Sequence, residues 1–177
     1  MGGIYLDAFA TCYPMSNKIK LAFTNFVFTG SLLSTLGAIA LVLQQPFVFP
    51  SLGPTAFLLA TKPNAEITSA RNTIFGHLVG AICGYISLVF FGLTNTPAMI
   101  VSGISIQFIL AAVFSIALTS FFMILFSVEH PPAGATTLII SLGILHTIPD
   151  ITVLMVAVIL LYLQARFVNN YIANKHR

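Results

Sequence analysis

Glu129 and His130 stand directly before Pro131 and Pro132, and the run continues as EHPPAGATT, residues 129–137, at the end of an apolar tract (72–128) with no formal charge. Two prolines suit the first turn of a helix, where a missing N–H would have had no partner anyway. Behind them Gly134 permits close approach, and the amides and hydroxyls around Ala135, Thr136 and Thr137 are hydrogen-bond donors. A helix start of this kind carries about half a positive charge and attracts an anion without any fixed cation. The amides near residues 134–137 are therefore expected to be free to hold one. A histidine ordinarily titrates near neutral pH, which makes His130 a candidate to pass a proton or tune that binding. The plainer role for Glu129 and His130 is to cap the helix at the membrane interface.

A second cluster has the same punctuation. PSLGPT, residues 50–55, lies over PPAGAT, residues 131–136, at an offset of 81, in a shared P-x-x-G-x-T pattern. Ser51, Gly53 and Thr55 are thereby candidates for the same anion-holding task. A plain Pro-Gly turn with its hydroxyls bonded back to their own helix is the structural alternative. The third constellation is RNTIFGHLVGAICG, residues 71–84. Arg71 and Asn72 open it, and His77 lies nearly two helical turns deeper. Arg71 can fork two hydrogen bonds to a planar oxyanion, or to Glu66 and Glu129, or simply snorkel at the interface. Gly76, Gly80 and Gly84 repeat every four residues, the small-xxx-small pattern of close helix packing and a natural face for a homodimer. Asn25, Ser34, Gln107 and Ser115 serve equally to join helices or to touch a substrate.

These residues need elements to hold them, and composition says which kind. Of 177 residues 58% are hydrophobic and 6% charged, against roughly 25% charged in soluble domains. The chain is an all-α integral membrane protein, a single membrane domain over 1–177 whose first partner is the lipid bilayer. The seven Lys and Arg are spread thinly at segment ends, so the net charge of +3 is a topology signal and no nucleic-acid footprint. The N-terminal tail lacks a basic region followed by an apolar one and is not expected to be a cleavable signal. Cys12 and Cys83 are read as incidental.

Long apolar spans cover 21–43, 72–92, 98–125 and 148–168, with shorter, broken stretches at 44–61 and 127–145. The offset of 81 also places 21–43 over 102–124 and 72–92 over 153–173, so the order long span, broken segment, long span occurs twice. We read an internal duplication, repeat 1 about 21–92 and repeat 2 about 98–173. If both short segments cross the membrane, there are six spans, all seven Lys and Arg fall on one side, and both termini are cytoplasmic. A three-span repeat must then be inverted, as in many secondary transporters whose broken helices meet near the midplane. Four full spans plus two re-entrant segments are the alternative, because 14 to 17 residues are short for a crossing.

EHPPAGATT, a preceding P-x-x-G-x-T segment, and the pairs Arg71-Asn72 and Gly76-His77 together resemble the HPP family of small membrane proteins, named for the tripeptide His130-Pro131-Pro132. The resemblance runs over nearly the whole chain. It implies transport of nitrite, as in cyanobacterial and plastid members, and hence residence in a bacterial plasma membrane or a plastid envelope. It also implies four membrane helices, which agrees with six segments only if the short ones are counted as loops. Ser51, Gly53, Thr55, Arg71, Asn72, His77, His130, Gly134, Ala135, Thr136 and Thr137 are then the candidate substrate-binding residues for a small anion. Proton coupling through His130 or His77 would be a further step. No enzymatic activity, cofactor or metal is expected. A metal-dependent membrane enzyme using Glu129, His130, His146 and Asp150 has the right residue types, but no H-x3-H or E-x2-H spacing places two of them on one helical face. A scaffold or assembly protein without a transported substrate is the other alternative.

Overall fold

In hydrocarbon a chain must pair its own backbone groups, and long apolar runs achieve this as helices. The computed structural model describes residues 15–175. Cys12 and Arg177, together with the ends of the chain whose side of the membrane the charge pattern addresses, lie outside the described residues. Seven α-helices follow in order: α1 Met15–Leu43, α2 Leu52–Thr61, α3 Gly76–Phe90, α4 Met99–Ser102, α5 Ile106–Phe126, α6 Ala133–Ser141 and α7 Ile148–Lys175. No strand occurs among the described residues. Among the described residues four helical stretches are long and apolar enough to cross a membrane: α1, α3 with the turn before it, α5 and α7. With 10 and 9 residues, α2 and α6 are each about 15 Å long, roughly half of a 30 Å hydrocarbon core.

Three boundaries differ from the hydropathy pattern, each for a local reason. The stretch expected as one span over 98–125 is broken at Gly103, whose φ of 87° ends α4. There α5 starts afresh, with Ser105 accepting a hydrogen bond from the Phe108 amide at 3.4 Å. Hydropathy does not register such a break, because a Gly and a capping Ser cost little in an apolar average. The stretch expected from residue 72 begins with a π-helical turn, Arg71–Phe75, before it becomes regular at Gly76. Upstream, α1 reaches back to Met15 through Lys18 and Lys20.

Packing sorts the helices into two groups. In the first, α3 lies against both α5 and α6. Hydrogen bonds from Arg71 to Phe126 and from Ser87 to Ala111 set α3 antiparallel to α5. Contacts of Gly76 with His130 and of Gly84 with Ile140 set it parallel to α6. In the second group, α2 lies between α1 and α7, around a continuous apolar core that includes Phe28, Leu32, Leu36, Leu52, Leu154, Val158 and Leu161. Outer faces of the long helices present Phe23, Phe26 and Val42 on α1, and Val113, Phe121 and Ile124 on α5. A contiguous apolar surface of this kind belongs against lipid.

Candidate functional site

The site begins with three absent side chains. A Cβ on Gly76 would stand 2.6 Å from the His130 Cβ, on Gly80 2.7 Å from the Ala133 carbonyl oxygen, and on Gly84 2.7 Å from the Thr137 carbonyl oxygen. The glycine face is therefore closed against α6 inside the chain. That corrects its expected use as a dimer face: the smooth groove is already filled by the nearest helix that fits it.

Close approach of the two backbones puts short polar side chains within reach of one another. His77 Nδ1 lies 2.7 Å from Thr136 Oγ1 on α6, and its Nε2 lies 3.0 Å from Thr55 Oγ1 on α2. His130, just before α6, places Nε2 3.4 Å from the same Thr55 hydroxyl. Its Nδ1 faces the Ile67 carbonyl oxygen at 2.8 Å. The two imidazole centroids are 5.0 Å apart. Thr55, His77, His130 and Thr136 are all 0% exposed, so these hydrogen bonds replace water entirely. Beside them, Thr137 pairs with Thr119 of α5 at 2.9 Å. Thr55 and Thr136, the two threonines in register at the offset of 81, thus clamp the two nitrogens of one histidine. Each stands in the first turn of its short helix, so His77 lies beside the N-terminal turns of both α2 and α6.

Two buried hydroxyls in the adjoining helical turns have no partner among the described residues. Ser51 Oγ, at the N-cap of α2, and Thr73 Oγ1, one turn before His77, are buried without a hydrogen bond. The amides at the start of α6 behave otherwise. The N–H groups of Ala133, Gly134 and Ala135 already donate to the carbonyls of His130, Pro131 and Pro132 at 3.0 to 3.1 Å. This corrects the expectation that amides around Gly134 and Ala135 stand free. Pro132 takes a helical conformation, and tight three-residue turns close before the helix proper begins.

The other anticipated residues divide by position. Gly53, Gly134 and Ala135 are half-buried at the edges of the cluster. Asn72 is buried in the π-helical turn, with its amide donating to Ser69 Oγ at 3.1 Å. Arg71 is exposed and points away, its guanidinium donating to the Phe126 carbonyl at 2.7 Å. There it caps the C-terminus of α5, a favourable place for a cation. Glu129 and His146 are exposed while His130 is buried. No three His, Cys, Asp or Glu side chains among the described residues are placed to hold a metal. Asn25 and Ser115 bond back within their own helices. Thr119, Thr73 and the Ile67 carbonyl were not anticipated. For Thr119 a signal existed, since Ser115 and Thr119 form a polar i, i+4 pair in the largely apolar α5. A backbone carbonyl leaves no trace in the sequence.

Comparison with known proteins places these features in a family. A family model described as the HPP transmembrane region matches residues 14–177. A transmembrane protein of Dictyostelium discoideum is 28% identical over 105 residues, covering 59% of this chain and 33% of that protein's length. No solved structure matches.

Proposed function

Because the chain belongs to the HPP transmembrane family, we propose that it moves a small inorganic anion, nitrite, across the membrane. The polar cluster in which Thr55 of α2 and Thr136 of α6 meet the ring of His77 is its site. The observation that carries this reading is the convergence of Thr55 and Thr136, from two broken helices, on the buried ring of His77. Broken helices survive at membrane depth only inside protein or along a water-filled cavity. In transporters, half-helix N-termini at such a break attract anionic groups. Here the donors for the anion are side chains, the unpartnered hydroxyls of Ser51 and Thr73. Nitrite is a planar ion of three atoms, ionised at neutral pH, and small enough to be held by a few hydroxyls and one imidazole.

The same reading sets the topology. Six alternating segments put Lys18, Lys20, Lys62, Arg71, Arg166, Lys175 and Arg177 on the cytoplasmic side together with both termini. It makes the chain a duplicated, inverted unit in a bacterial plasma membrane or a plastid envelope, with no enzymatic step. Proteoliposomes test it: nitrite accumulates above protein-free vesicles, and nitrate, formate and chloride compete in order of their likeness to nitrite. No accumulation of any of these anions overturns the proposal. Cysteine labelling at position 62, in a background without other cysteines, is expected only from the cytoplasmic side; labelling only from the opposite side defeats the six-segment arrangement.

A further inference from the structure

The hydrogen bonds around Thr55 have a definite arithmetic. A carbonyl oxygen only accepts, so His130 Nδ1, 2.8 Å from the Ile67 oxygen, carries a proton. With one proton on the ring, His130 Nε2 is then an acceptor and needs a donor. Thr55 Oγ1 is its neighbour, with one proton and two lone pairs. Two acceptors compete for that proton, the Ser51 carbonyl at 2.9 Å and His130 Nε2 at 3.4 Å. His77 completes the set. If its Nε2 donates to Thr55, its Nδ1 accepts from the Thr136 hydroxyl at 2.7 Å.

When the Thr136 hydroxyl donates to His77 Nδ1, two arrangements leave no group around Thr55 without a partner. In the first, both rings hold one proton each, and protons point in a single file from Thr136 to His77, from His77 to Thr55, from Thr55 to His130 and from His130 to the Ile67 carbonyl. In the second, His130 has gained a proton on Nε2. Thr55 then accepts from both histidines and turns its own proton to the Ser51 carbonyl. One proton is added, one N–H bond forms, no heavy atom moves, and every donor again has an acceptor. A second added proton has nowhere to go, because protonating His77 Nδ1 sets two donors against the Thr136 hydroxyl and forces that hydroxyl to find a new acceptor.

We propose that Thr55, His77, His130 and Thr136 form a binding site for one proton, taken on His130 Nε2 with the Thr55 hydroxyl as pivot, and that this proton crosses with the anion. The inference rests on the transport reading for its second half only. Charge supplies the coupling. The helices α2, α5 and α6 carry no acidic or basic side chain. Among the described residues packed around them, Glu66 and Glu129 are exposed and Arg71 faces the Phe126 carbonyl. Lys62 lies at the far end of α2 from Thr55, and on α7 Arg166 is exposed and Asp150 bonds with Thr147. On α3 the other titratable groups are Cys83, nearly two turns further on, and Tyr85. An added proton therefore has no fixed counter-charge, and burying an unpaired charge is costly. A bound anion has the same deficit. Together they make a neutral pair, so each raises the affinity for the other by the same factor.

Two measurements on the full chain in lipid bilayers test the site. Nitrogen-15 spectra of labelled histidines, assigned with single His→Gln variants, are expected to show opposite tautomers, Nδ1–H on His130 and Nε2–H on His77. They should also show one proton taken up by the pair when nitrite is added. Vesicles with a pH dye in the lumen are expected to gain one proton per nitrite, after correction for protein-free vesicles. Thr55→Val should reduce uptake driven by a proton gradient at least tenfold, and Thr55→Ser should retain most of it. Nitrite uptake at one rate with or without a proton gradient, and no lumenal pH change, overturns the coupling and leaves transport standing. Absence of any nitrite uptake overturns transport. In that case the spectra still judge the proton site: identical tautomers, or two protons taken up by the pair on acidification, overturn it.

Discussion

Aligned at the offset of 81, the α3–α6 pair and the α7–α2 pair are built on the same positions and filled in opposite ways. Where α3 has Gly76, Gly80 and Gly84, α7 has Ala157, Leu161 and Ala165, all buried. His77 corresponds to Val158, His130 to Phe49, and Thr137 to Ala56, and these three counterparts are buried too. One half has taken the volume of side chains out of the interface, so backbones touch and hydroxyls reach imidazoles. The other half fills the interface with aliphatic and aromatic groups and excludes polar chemistry. Both have a threonine at the corresponding position, Thr55 and Thr136. The comparison teaches that each short helix supplies one threonine, while the ring between them comes from α3 alone.

Substitutions that copy one half into the other are the most direct way to break the comparison. Gly80→Leu, which copies Leu161, drives a side chain into the Ala133 carbonyl and the Thr137 hydroxyl. Its cost should exceed the about 1–3 kcal/mol typical of overpacking. The expected outcome is loss of monodisperse protein in detergent, and a folded variant would mean that α3 and α6 can separate cheaply. His77→Val copies Val158 and keeps the fold, but removes the ring that both threonines hold. Nitrite uptake per folded protein should fall to the protein-free background.

Smaller changes sharpen the same contrast. Thr136→Val preserves shape and leaves His77 Nδ1 without its donor, at about 1–3 kcal/mol for a buried unsatisfied group. About a tenfold reduction in nitrite uptake is expected; unchanged uptake would remove Thr136 from the site. Arg71→Gln gives the smallest effect. It loses a cap on α5 worth about 0.3–1 kcal/mol, seen as a slightly lower midpoint of thermal unfolding, and nitrite uptake should stay within about twofold. A collapse of uptake would return Arg71 to the anion site, where fork geometry alone had suggested it.

Much of the site was legible in the residues because membrane chemistry makes polar groups conspicuous. His77, His130, Thr55 and Thr136 stand out in apolar runs, and the glycine repeat announces a close helix contact. What the sequence could not indicate was the partner of that contact. A small-residue face fits a second copy as well as it fits α6, and only the turn after α5 brings α6 there. Nor could it show that the first-turn amides of α6 were already bonded. Two consecutive prolines fix φ, but whether the next amides close onto residues 130–132 depends on the path by which the chain arrives.

The sequence by itself determined a helical membrane protein with four long spans, two short broken helices and polar residues at the breaks. The physical reason is that hydrocarbon permits few backbone solutions and makes every polar exception costly. Only the tertiary structure decided that one histidine lies between two threonines from different helices and that Arg71 turns away. It also decided that a backbone carbonyl, Ile67, fixes the tautomer of His130. Those are matters of direction at the scale of a hydrogen bond, set by how closely α3 and α6 approach, and residue types fix reach without fixing direction.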